Sequence, residues 1–332
     1  MAKSCLLFLL LAGLCLSVHS QKKTISVIGS STAAGYGLPD ANGDPVTNID
    51  GSEDDDKPVN SWANRLRRYY TTLGLLNELD NFAIWGRNIY QAMPNNSHTD
   101  DRDDPDEASN ITMAFTVNPD ILLINYPSNK YDELDVHEVM LRFHDLYDFA
   151  TANGHTICYI CTTQPRTSEG WDPSPPNTPE NALANRQKLL TLRDSILAEF
   201  PGHAIDFYTP IVDMALESSP GVPNLNYLGI LPQYAQGDGT HLNEDGHNVL
   251  FQQVLAKNII PFGNLPLSIG KISVRRIDDT HITVSFTVYP NNTEKQFFIQ
   301  VKDKAGNTKQ VRVIIPDKTK QSQTVSETIQ IY

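Results

Sequence analysis

Thr24-Ile25-Ser26-Val27-Ile28-Gly29-Ser30-Ser31-Thr32 sets a run with four β-favouring residues in five ahead of a turn glycine and two serines. Branched side chains pack well on a pleated surface, so the run reads as a buried strand that ends at a glycine turn. The same strand-then-breaker unit recurs along the chain. Residues 81–84 precede Gly86, residues 121–125 follow Pro119, and residues 156–160 and 204–208 give two more β-rich runs. Helical spacing fills the intervals. The 61–72 helix has Ser61 as N-cap and Trp62, Leu66 and Tyr69 at helical spacing, and 134–152 stops at Asn153-Gly154. Helices over 179–200, closed by Pro201-Gly202, and 244–257 complete the series. Strands separated by helices predict a parallel sheet covered on both faces, with ligands bound beyond the carboxyl ends of the strands. Ser31, Gly86 and Asn129 each follow a predicted strand and are therefore expected along that one edge.

Beyond Pro261-Phe262-Gly263-Asn264 the pattern changes. Residues 280–286 alternate strictly, as do the stretches around 298–301 and 311–314, with turn signals at Asn291-Asn292 and Ala305-Gly306-Asn307. This predicts a small all-β unit, an immunoglobulin-like sandwich with fewer strands than a full one. The expected domains are a targeting segment at 1–20, an α/β domain at 21–263 and the β-sandwich at 264–332.

The first twenty residues carry Lys3, a nearly continuous apolar run from Leu6 to Val18, and small residues at the cleavage position before Gln21. That is the pattern of a cleavable export signal, and the run is too short to be a stable membrane span. A lipid anchor on Cys15 competes, but the bulky Leu14 before it argues against one. The expected location is secreted or extracytoplasmic, without an integral membrane segment. Asp and Glu number 39 against 26 Lys and Arg, a formal net charge of −13, which disfavours nucleic acid and anionic membranes as partners. Two of the four cysteines leave with the signal. Cys158 and Cys161 stand three apart in a β-like run, where Cα atoms are roughly 10 Å apart, beyond disulfide reach. Two buried free thiols are expected. The acidic loops 40–56 and 100–107 offer carboxylates to calcium, through Asn48, Asp50, Glu53 and Asp54-Asp55-Asp56, but the spacing matches no EF-hand loop and solvated acidic loops are commoner. Asn95, Asn110 and Asn291 begin glycosylation sequons.

Chemistry concentrates in Asp238-Gly239-Thr240-His241 and in Ser31. A serine hydroxyl becomes a useful nucleophile only when a histidine takes its proton, and that histidine needs a carboxylate to fix its tautomer and steady the imidazolium. Each residue has a plainer alternative: Ser31 as a helix cap, Asn129 as a turn residue, Gly86 as a strand-end glycine, Asp238 and His241 as loop residues. Their order along one sheet edge favours a single site. Thr162-Thr163-Gln164-Pro165-Arg166, after another strand, is a second-tier candidate for lining it, with Arg166 as a substrate-binding residue.

The chain resembles the SGNH (GDSL-type) hydrolase family over residues 24–262. Val27 through Gly37 looks like its nucleophile block, with Ser31 in the serine position; Ile84-Trp85-Gly86-Arg87 looks like its glycine block; Asn125-Tyr126-Pro127-Ser128-Asn129 looks like its asparagine block; and Asp238-Gly239-Thr240-His241-Leu242-Asn243 looks like its closing block. The family usually has aspartate before the nucleophile, whereas here it is Ser30. The resemblance implies a flavodoxin-like three-layer α/β/α fold. It also implies catalysis by Ser31, Asp238 and His241, with an oxyanion hole from the Ser31 and Gly86 N–H groups and the Asn129 amide. No metal or organic cofactor is implied. The expected activity is carboxylic-ester hydrolysis through an acyl-enzyme, on O-acetyl groups of a small acylated substrate or polysaccharide. A lipase, lysophospholipase or thioesterase acting on longer chains is the alternative, and a non-catalytic surface protein on the same fold is a third. An α/β-hydrolase is disfavoured, because its nucleophile follows a central strand and its acid lies well before its histidine.

Overall fold

The computed structural model describes residues 22–47, 59–97, 102–126, 129, 135–165, 179–212 and 229–260, and the backbone of five strands between 268 and 330. Residues 1–20, where an export signal is expected, most of the acidic loop 40–56, Arg166 and Asn291 lie outside the described residues. Two compact units divide the chain, one of them Lys22–Ile259, the other including Ile260–Tyr332.

The first unit is built on five parallel strands: β1 (Lys23–Gly29), β2 (Leu76–Asn81), β3 (Ile121–Asn125), β4 (Ile157–Cys161) and β5 (Ala204–Ile205), in the spatial order β2-β1-β3-β4-β5. That order reverses direction between β1 and β3, which opens a crevice at their carboxyl ends. Among the described residues six α-helices accompany the sheet: α1 (Ser31–Ala34), α2 (Trp62–Thr72), α3 (Ile111–Ala114), α4 (Val136–Thr151), α5 (Pro179–Glu199) and α6 (Glu244–Lys257). Every residue of β3 is buried, as a strand with helices on both faces requires. Ile28, Leu122, Ile124, Cys158 and Ile160 pack with Val139, Phe143 and Leu146 of α4 and Leu192 and Ile196 of α5. α2 and α6 pack against each other, with Tyr69 meeting Phe251 edge-on at 5.9 Å. The result is the three-layer α/β/α arrangement that the strand and helix alternation predicts.

Local signals explain the helix ends. Ser61 Oγ accepts from Asn64 N at 3.2 Å, Asp135 accepts from His137 N, and Asn243 accepts from Gly246 N, each satisfying an N-terminal donor. Asn110 likewise caps α3, and its amide also reaches Asn95 Oδ1 at 2.5 Å. The residue is buried in the folded chain. Cys158 and Cys161 are free and buried, and burial pushes both thiols well above the usual range. They are inert hydrophobes rather than nucleophiles.

Two strands differ from the sequence expectation. The run 81–84 was expected to be a strand; the paired strand is instead Leu76–Asn81. The expected segment continues it irregularly, with Phe82 N donating to Val27 O and Ile84 N to Gly29 O. The 204–208 strand stops at Ile205, because Asp206 accepts from the N–H groups of Tyr208 and Thr209 and turns the chain.

The backbone of the second unit shows β6 (Ser268–Arg276), β7 (His281–Tyr289), β8 (Gln296–Lys302), β9 (Thr308–Ile314) and β10 (Gln323–Gln330). They form an antiparallel sheet in the order β10-β7-β6 and an antiparallel pair β8-β9. Among the described residues no helix is long and apolar enough to cross a membrane.

Candidate active site

Three chain segments meet at the carboxyl ends of β1, β2 and β3. β1 hands over to α1 at Gly29-Ser30-Ser31, where a glycine is needed for close approach: a Cβ on Gly29 would lie 2.4 Å from Asn125 O and 2.7 Å from Ala33 Cβ. Ser30 N in turn donates to Asn125 O at 3.3 Å, so the ends of β1 and β3 are bonded together. Ser31 is the first residue of α1 and is nearly buried.

The second segment is the turn after β2. Gly86 adopts a positive φ of 79°, which disfavours other residues, and a Cβ there would meet nothing within 4 Å, so its surroundings are open. Arg87 pairs with Asp106 and Asn88 with Asp103, which fixes the far side of the turn. Those carboxylates of the second acidic loop are thus spent on the protein's own side chains.

Asn129 joins the first two segments. Its Nδ2 donates to Ser30 Oγ at 2.6 Å and to Arg87 O at 2.7 Å. A primary amide has two N–H groups, and these two acceptors engage both. Ser30 is therefore an acceptor for the asparagine amide, a contact its position in the sequence does not reveal.

The fourth element is the Asp238–His241 turn. Asp238 Oδ1 accepts from the N–H groups of Thr240 and His241, each at 2.8 Å, and Oδ2 lies 2.5 Å from His241 Nδ1. Burial raises the Asp238 pKa, but these hydrogen bonds outweigh it and hold the carboxyl below its ordinary value. An ionised Asp238 keeps the proton on Nδ1 and leaves Nε2 as the basic atom. Gln164 Nε2 supports the turn by donating to Thr240 O at 3.0 Å, which gives residues 162–165 a place beside the site.

Tyr36 and Gln236, which the motifs did not single out for a role, connect this turn to the serine segment. Tyr36 N donates to Ser31 O at 2.9 Å, and its ring lies 4.6 Å from the His241 ring, tilted by 33°. Gln236 Nε2 donates to both Tyr36 O, at 2.8 Å, and Leu242 O, at 2.7 Å, while Gln236 N donates to His241 O. The structure thus pairs Asp238 with His241 and sets the imidazole against the segment that Ser31 starts; the Ser31 hydroxyl and His241 are not joined by a hydrogen bond. The side chain of His241 is 16 % exposed and that of Asp238 44 %. Among the described residues no three His, Cys, Asp or Glu side chains gather as a metal site.

No family model matches the chain, and no curated protein matches it. Solved structures similar to it include a psychrotrophic esterase, EstA, from Pseudoalteromonas sp., inhibited by monoethylphosphonate, at 13 % identity and a TM-score of 0.43, covering 71 % of this chain and 96 % of that one. A variant of an acetyl-xylooligosaccharide esterase from Geobacillus is similar at 12 % identity and 0.41, with 71 % and 94 % covered. The lipase/acylhydrolase from Enterococcus faecalis is similar at 14 % identity and a TM-score of 0.43, again covering 71 % of this chain and 94 % of that one.

Proposed function

We propose that this protein is an exported serine ester hydrolase of the SGNH type, removing O-acetyl groups from carbohydrate through an acyl-enzyme. The observation that carries the reading is the Asp238–His241 pair, with its imidazole packed on Tyr36 and Tyr36 bonded back to Ser31.

In this mechanism His241 Nε2 takes the proton from Ser31 Oγ as the oxygen attacks the ester carbonyl. The tetrahedral oxyanion is held by the N–H groups of Ser31 and Gly86 and by the Asn129 amide, which reaches it by sharing an N–H now directed at Ser30 or Arg87. Each such donor is typically worth about 3 kcal/mol in the transition state. The C–O bond to the sugar breaks, and the imidazolium returns its proton to the departing alkoxide. Water, deprotonated by His241, then attacks the acetyl-serine and releases acetate. Residues 1–20 serve as the export signal, residues 264–332 as an immunoglobulin-like accessory unit, and Arg166 as a further contact for substrate.

The test is acetate release from acetylated xylan or pectin, together with covalent labelling by a fluorophosphonate probe. Wild-type protein should do both and Ser31→Ala neither. Hydrolysis that survives in Ser31→Ala removes the nucleophile assignment, and labelling without acetate release from any glycan removes the carbohydrate assignment.

A further inference from the structure

Trp85 is 48 % exposed, the most exposed of the large apolar side chains among the described residues. It directly precedes Gly86, and its ring centroid lies 6.0 Å from that of Tyr36, tilted by 42°. Tyr36 in turn lies against His241. The phenol of Tyr36 therefore neighbours both the imidazole of the proposed base and an exposed indole.

We infer that Trp85 is the platform on which a pyranose ring of the substrate lies, placing the sugar, rather than the acyl group, on the Tyr36 side of the site. The inference rests on the hydrolase reading given above and specifies how that site takes its substrate. Three features of the site select a sugar over an acyl chain. The indole is about half exposed, so it offers open ring surface rather than the wall of a closed channel. Its neighbour Gly86 is exposed and a Cβ there would meet nothing within 4 Å, so an alkyl chain lying on it would gain little from burial. The residues that follow are polar: Arg87 is held by Asp106, and the Asn129 amide is bonded to the Arg87 carbonyl. A pyranose has the matching form, with axial C–H groups on one face for the negative π surface and hydroxyls around its rim for polar partners. An exposed tryptophan spends apolar surface on water, and a sugar face recovers that cost without requiring a closed pocket.

The experiment compares wild type, Trp85→Ala and Trp85→Tyr on acetylated xylo-oligosaccharide, p-nitrophenyl acetate and p-nitrophenyl octanoate. The expected result for Trp85→Ala is a loss in kcat/KM of tenfold or more on the oligosaccharide, carried by KM. That loss should be at least fivefold larger than the one on p-nitrophenyl acetate, and Trp85→Tyr should restore most of it. Equal losses on the oligosaccharide and p-nitrophenyl acetate would overturn the platform, as would a loss concentrated on the octanoate, which would assign the indole to an acyl chain. A second arm needs no turnover. Unacetylated xylotetraose added to Ser31→Ala protein should change the tryptophan emission, and the change should vanish in the Ser31→Ala, Trp85→Ala double variant. An identical response in both proteins would also overturn the platform. Because this arm reads binding alone, a failed nucleophile assignment and a failed sugar subsite give different results.

Discussion

Replacing Gln236 by alanine removes the amide that fastens the His241 turn to the Ser31 segment. One nitrogen serves two carbonyls, Tyr36 O and Leu242 O, and Leu242 is buried. An intramolecular hydrogen bond contributes about 1 kcal/mol net, so losing the pair costs about 2 kcal/mol, with more if the Leu242 carbonyl finds no other donor. If that energy is what holds the imidazole against the Tyr36 side of the serine segment, it corresponds to roughly a 30-fold fall in kcat/KM. Gln236→Glu keeps the shape but puts carboxylate oxygens against two carbonyl oxygens, and should do at least as much damage. The assays are kcat/KM on p-nitrophenyl acetate and the urea midpoint. Gly37 supplies an internal control. It has a φ of 79°, and a Cβ there would lie 2.3 Å from Gln236 Oε1. Gly37→Ala should therefore cost about 1–2 kcal/mol of backbone strain plus the clash in wild type, but only the strain in Gln236→Ala. If Gln236→Ala changes neither kcat/KM beyond twofold nor the urea midpoint, the clamp does not position His241 and the reasoning fails.

Three further outcomes are expected. Burial, with help from Arg65 and His241, lowers the His247 pKa to about 3, against about 6.5 in an unfolded chain. Between those values the unfolded chain binds a proton that the folded one refuses, so stability is complete above about pH 6.5 and falls as pH drops toward 3; Asp238, whose carboxyl is depressed, adds its loss only below about pH 3.9. Urea midpoints from pH 7 to 4 should fall in wild type and flatten in His247→Asn, and parallel curves would contradict the assignment. Gly29→Ala should destabilise by about 1–3 kcal/mol through overpacking of the β1–β3 junction, and an unchanged melting temperature would show that the junction yields freely. Ser30→Ala should lower kcat severalfold in wild type but have little further effect in Asn129→Ala; equal losses in both backgrounds would mean that Ser30 does not act through the asparagine amide.

How much could be read beforehand follows from how local each signal is. β3 and α6 have the bounds their residues suggest, because a buried apolar run and an Asn cap are self-contained cues. β2 was misplaced because it lies at the sheet's edge. Its buried Leu76 and Leu79 are three apart with exposed polar residues between them, so no period of two is visible. β6 and β10 went unmarked for a related reason, since Gly270 and Lys271 interrupt one and polar residues dominate the other. In the site, Ser31, Gly86, Asn129, Asp238 and His241 stood out as motif residues. Tyr36 and Trp85 lie inside those motifs without a role assigned and Gln236 lies in none, because each acquires its place only when segments up to two hundred residues apart are brought together. Arg166 lies outside the described residues, and Gln164, two positions earlier, is the member of that loop that touches the histidine turn.

The separation between Ser31 and His241 in sequence is bridged by helix packing more than by any contact between the two residues. α1 begins with Ser31, and its Ala33 carbonyl is held by Asn81 Nδ2 at 2.9 Å, which fixes it to the end of β2. α2 packs on α1, and α6 packs on α2. At their amino ends Trp62 N donates to His247 Nδ1 at 3.3 Å, and Asn60 Nδ2 donates to Glu244 Oε1 at 3.0 Å. Since α6 starts three residues after His241, these two bonds set the height of the histidine turn above the sheet edge. His247 accepts from Trp62 only while its Nδ1 is unprotonated, so the same burial that keeps it neutral also maintains the placement of the catalytic candidate six residues earlier. Acid should accordingly loosen the α2–α6 contact and the His241 turn together. A local opening seen in amide exchange at α6 before α4 or β3, as pH falls below 6.5, is the signature that this coupling requires.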